Sequence, residues 1–132
     1  MTGLMKIHLL ILGALVAAVA LAVPASAHHG GTSLYDISKQ VTVNATVTDF
    51  VWTNPHVEIE MDAKDDAGKV THWILEASSP PVLVSHGWNR KSLQAGDAIK
   101  VTFYPAKSGA KVGRLLKAIK ADGTELGRVE AQ

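Results

Sequence analysis

Residues 78–103 read SSPPVLVSHGWNRKSLQAGDAIKVTF. Ser78 or Ser79 followed by Pro80-Pro81 is a helix start. A hydroxyl suits the N-cap and proline suits the first turn. Val82 to His86 then makes a short helix, which Gly87 stops. Ser92 to Asp97 is a turn. It delivers a strand from Ala98 to Tyr104, in which Ile99, Val101 and Phe103 alternate with Lys100 and Thr102.

Strands stand on both sides of this stretch. Val41, Val43, Ala45 and Val47 alternate with Thr42, Asn44, Thr46 and Thr48, the pattern of a half-buried strand. Phe50 and Trp52 fall on the opposite phase, so a bulge or strong coil is expected near Thr48–Asp49. Thr53-Asn54-Pro55 is a break, and His56 opens the next strand. There Val57, Ile59 and Met61 face one way and Glu58, Glu60 and Asp62 the other. Asp65-Asp66-Ala67-Gly68 is a hairpin turn. Lys69 to Glu76 is the return strand, with Val70, His72 and Ile74 on one phase and Thr71, Trp73 and Leu75 on the other. His72 thereby reads as a core or rim histidine. After Tyr104, residues 105–113 form a loop. Arg114 to Ala121 and Glu125 to Val129 read as two more strands.

Three strands, a short helix and then two or three strands is the order of a small Greek-key barrel. The expected fold is therefore all-β with one short helix. It is a five- to six-stranded barrel of the oligonucleotide/oligosaccharide-binding (OB) type, occupying residues 40–132. The phrase Leu93-x-x-Gly96-Asp97-x-Ile99-x-Val101 supports it, because a glycine turn must feed the fourth strand. A β-sandwich is the alternative, disfavoured by the central helix and the small number of strands.

Upstream of the barrel the sequence changes character. Lys6 is followed by an apolar run from Leu9 to Val23 and then Pro24-Ala25-Ser26-Ala27. This is the pattern of a secretory signal peptide, residues 1–27. A run of about 15 residues is short for a membrane anchor, which needs roughly 20. The expectation is export to the periplasm or medium, with no membrane segment after cleavage. Residues 28–39 read as a flexible lead-in with a short turn at Tyr35-Asp36.

Charge and composition narrow the function. The chain carries 13 Lys and Arg against 12 Asp and Glu, with no basic stripe, so nucleic acid is not an expected partner. There is no cysteine, which excludes thiol catalysis and cysteine-ligated metal sites. No G-x-S-x-G elbow is present, so a hydrolase-like enzyme is the weakest reading.

Ala27-His28-His29, Trp52-Thr53-Asn54-Pro55-His56, Trp73-x-Leu75-Glu76, Gly87-Trp88 and Gly96-Asp97 together resemble a family of small exported bacterial proteins classed as a domain of unknown function. The resemblance covers His28 to about Gly127. Trp52 to His56 is its most specific piece. Family members often have Ser-Phe after the two histidines, where this chain has Gly30-Gly31. The resemblance implies an exported β domain and no particular activity.

Five of the six histidines lie beyond the leader. Cleavage after Ala27 would make His28 the first residue, so that its amine and ring nitrogen chelate one metal together. The amine has an unperturbed pKa near 8 and is partly neutral at pH 7. His29 and His56 are the further candidate ligands. Cleavage after Ala25 would place His28 third, where the amine, two amides and the ring can wrap copper(II). Both routes favour copper, with zinc second. The alternative is a small-ligand or protein-partner module without metal. It would use Trp52, Asn54, Trp73 and Glu76 beside His56. The sequence-level reading is thus an exported, non-enzymatic binding protein.

Overall fold

The computed structural model describes residues 34–126. Residues 28–33 and 127–132 lie outside them, as do His28, His29 and the expected leader. Six strands and one helix follow in the order β1 (Val41–Val51), β2 (Glu58–Lys64), β3 (Val70–Glu76), α1 (Pro80–Ser85), β4 (Ala98–Pro105), β5 (Val112–Lys120) and β6 (Glu125–Leu126).

Strands β1 to β5 close on themselves. β1 pairs antiparallel with both β2 and β4, β2 with β3, and β4 with β5. The ring is completed by a parallel seam between β3 and β5, at Ile74–Val112, Leu75–Gly113 and Glu76–Arg114. β6 adds to the free edge of β5. This is a Greek-key barrel of the expected OB type, and the sandwich alternative falls because there is one closed sheet.

The phase slip in β1 is a bulge. Val47 pairs with Met61 and Asp49 with Glu60, leaving Thr48 extra. The bend lets Phe50 and Trp52 pack against the core that Ala45 and Val47 enter from the other phase. A second irregularity lies opposite Thr102–Phe103, where β5 carries Leu115 and Leu116, both buried although adjacent.

Inside the barrel lie Ile59, Met61, Leu75, Val101, Phe103 and Leu115, all fully buried. Each such side chain contributes about 1.5–3 kcal/mol relative to exposure. Helix α1 buries Leu83 and hands over to Trp88, which is 2% exposed. Gly87 has φ +84°, a value only glycine adopts without strain. That turn lets Trp88 N–H reach the Leu83 carbonyl and Gly87 N–H reach the Val84 carbonyl, so the helix ends in a closed motif.

Three local expectations need correction. Ser79 is the N-cap of α1, but its hydroxyl makes no capping bond; its carbonyl accepts from Leu83 N–H instead. β2 begins at Glu58 rather than at His56, which lies in the preceding loop. His72 is not a core residue. It points outward, with its side chain 48% exposed and held by Asp62 and Glu60.

Candidate functional site

The outward phase of β2 and β3 brings Glu58 opposite Glu76. The β3–β5 seam sets Arg114 beside Glu76 on its other flank. The β1–β2 loop, which includes a cis Asn54–Pro55 bond, returns His56 to the same place. A fourth group comes from upstream of the barrel. Residues 34–36 lie along the end of β4: Asp36 N–H bonds the Pro105 carbonyl, Lys107 N–H bonds the Leu34 carbonyl, and Tyr35 bridges to Ala106. Tyr35 is consequently 6% exposed, within the segment read as a flexible lead-in.

His56, Arg114 and Tyr35 all meet on the Glu76 carboxylate. Glu76 Oε1 lies 2.7 Å from His56 Nδ1 and 2.9 Å from Arg114 Nη1. Its Oε2 accepts the Tyr35 hydroxyl at 2.8 Å. The Arg114 side chain is 12% exposed and Glu76 25%, so the pair is shielded without being sealed. The His56 side chain is 44% exposed. No other described group bonds its ring.

Burial, followed by the hydrogen bond to Glu76 and the charge on that carboxylate, pushes the Tyr35 phenol up from 10.0 to about 12, against a smaller opposing influence from Arg114. The folded state thus favours the neutral phenol. Its contribution to stability is complete below pH 10 and is lost as the pH rises through about 12. Denaturant unfolding across that range should show the loss in the native sequence and a flatter profile in Tyr35→Phe. At neutral pH the same variant is expected to cost about 1.5 kcal/mol, the low end for a bond to a charged group, because Arg114 and His56 still hold Glu76.

The other candidates are distributed differently. Trp73 lies on the inward phase and packs on Phe103 at 4.8 Å between ring centroids, with the Lys111 ammonium 5.2 Å over its ring. Trp52 meets Phe50 edge-on at 5.8 Å, and its carbonyl accepts from Arg90. Among the described residues the two indoles do not stack on each other. Asn54 is exposed, one residue before the proline. Of the five described candidate site residues, Glu76 and His56 are therefore brought into contact, while the tryptophans serve mainly as packing. Tyr35 and Arg114 were not foreseen. Tyr35 is 41 residues from Glu76 and Arg114 is 38, so neither pairing leaves a local pattern.

His72 offers an instructive contrast. Its Nδ1 lies 2.8 Å from Asp62 and its Nε2 3.5 Å from Glu60, so carboxylates face both ring nitrogens. Among the described residues, no group of three or more His, Cys, Asp or Glu side chains could hold a metal ion.

A family model described as a family of unknown function (DUF6152) matches residues 16–115. No curated protein and no solved structure matches the chain.

Proposed function

The chain belongs to the DUF6152 family of unknown function, and we propose that it is an exported, non-enzymatic copper-binding protein. The amine and ring of His28 chelate the ion, His29 stands beside them, and His56 Nε2 supplies the ligand from the barrel. Zinc is the second choice of metal. The site is built from nitrogen donors, which suit both ions.

One observation carries the reading. The chain just downstream of the two histidines and His56 are anchored to the same carboxylate, through Tyr35 on Oε2 and His56 on Oε1. His28 is six positions before Leu34. Six residues span at most about 21 Å at 3.3–3.6 Å each. Because Tyr35 and His56 share the Glu76 carboxylate, a segment of that length is compatible with a ligand set that joins the terminal nitrogens to the exposed His56 ring.

Sequencing of the secreted protein's N-terminus, then calorimetric titration of that protein with Cu2+, tests the proposal. The expected result is binding tighter than that of a free peptide with residues 28–33. His28→Ala and N-terminal acetylation should each abolish tight binding, and His56→Ala should weaken it at least tenfold. Binding no tighter than the free peptide would overturn the proposal. So would a His56→Ala variant of unchanged affinity, since the barrel would then contribute no ligand.

A further inference from the structure

We infer that Glu76 is a positioning residue, which selects the ring nitrogen through which His56 meets a metal ion. The inference extends the copper reading, but its core concerns the protein without metal.

An ionised carboxylate accepts hydrogen bonds and donates none. The guanidinium of Arg114 lies 2.9 Å from Glu76 Oε1 and fills part of its accepting capacity. His56 Nδ1, 2.7 Å from the same oxygen, must therefore carry the hydrogen. A neutral imidazole has one N–H, so Nε2 carries the lone pair. That atom belongs to a side chain that is 44% exposed. The arrangement is the one metal-binding histidines use, with one nitrogen on a carboxylate and the other on the ion. The carboxylate fixes the tautomer and raises the basicity of the ligand.

The clamp on Glu76 makes this more than a surface ion pair. Three donors from separate parts of the chain hold it: Tyr35 from the N-terminal strap, His56 from the β1–β2 loop and Arg114 from the start of β5. Tyr35 is buried and Arg114 nearly so. Between them Glu76 has little freedom to turn away. His72 lacks this asymmetry, because both of its nitrogens face carboxylates. His86 meets the same criterion on a backbone group, with its Nδ1 2.8 Å from the Val82 carbonyl oxygen; His56 differs in that its Nδ1 rests on a carboxylate that Tyr35 and Arg114 also hold.

The experiment reads the His56 tautomer by nitrogen-15 NMR of the metal-free protein, in buffer alkaline enough for a neutral ring. The native protein should show the hydrogen on Nδ1. Glu76→Gln retains an accepting oxygen and should keep that tautomer. Glu76→Leu, with its folding checked from the amide spectrum, should lose it. Cu2+ affinity should fall by about 10–100-fold in Glu76→Leu, as is usual when the outer partner of a ligand is removed, and by less in Glu76→Gln. A native ring protonated on Nε2 would overturn the inference even if Glu76→Leu failed to fold. A folded Glu76→Leu variant still protonated on Nδ1 would do the same. Native protein with Nδ1–H but no copper uptake would support the positioning role and overturn only the proposed function.

Discussion

Trp88→Ala should lower the unfolding free energy by about 3–5 kcal/mol, the range for deleting a fully buried large aromatic. Trp88 is 2% exposed and belongs to the main core. Its ring lies 6.4 Å from that of Phe50 at a tilt of 35°. Its backbone N–H also ends helix α1 on the Leu83 carbonyl, so the residue joins helix, bulged strand and core. Small domains have roughly 5–15 kcal/mol in total, and the variant should unfold at a far lower urea concentration. Trp73→Ala and Trp52→Ala should cost less, because both side chains are only partly buried. Equal midpoints for the three variants would contradict the assignment of Trp88 as the residue joining helix to barrel.

The three tryptophans look alike in sequence, each beside a turn or within a strand. Their ranking depends on which sit beneath the helix and which at the rim, a matter of closure rather than of local pattern. The barrel itself was more legible. A period of two, a proline-led helix and a glycine turn are local signals. Gly96 has φ +93° where the turn into β4 requires it. The bulge at Thr48 was visible because a one-residue slip moves Phe50 and Trp52 to the other phase. The second bulge was hidden because Leu115-Leu116 is also compatible with an ordinary strand whose faces are both covered.

The candidate site was half legible for the same reason. The sequence groups His56 and Glu76 on one candidate face, one beside the Asn54-Pro55 break and the other at a strand end. Their contact spans 20 positions and follows only from the pairing of β2 with β3. Arg114 enters through the parallel seam, and Tyr35 through a strap that touches Pro105, Ala106 and Lys107. Tyrosine in a polar, glycine-rich lead-in gives no sign of burial. The strap and the seam both bear on one carboxylate, so fold closure and site geometry are linked at Glu76.

That link makes Gly113 the most informative position in the seam. It pairs with Leu75, one residue before Glu76, and precedes Arg114. A Cβ added there would collide with the Phe103 ring and come within 3.0 Å of both a Leu75 methyl and the Tyr104 carbonyl oxygen. Glycine is needed here for space, since two strands and a ring converge on the position. Gly113→Val should therefore cost about 1–3 kcal/mol through overpacking. Phe103→Ala should cost about 3–5 kcal/mol through the cavity it leaves. The valine of the double variant can use part of that cavity. Its cost should fall below the sum by about 0.5–3 kcal/mol, the range for residues in direct contact. The relief should be incomplete, because the Tyr104 carbonyl belongs to the backbone and cannot swing aside. Strict additivity in urea unfolding would mean that the Phe103 ring is not what excludes a side chain from the seam. A Gly113→Val variant of native stability would mean that the barrel closes without the tight β3–β5 approach on which the Glu76–Arg114 pair depends.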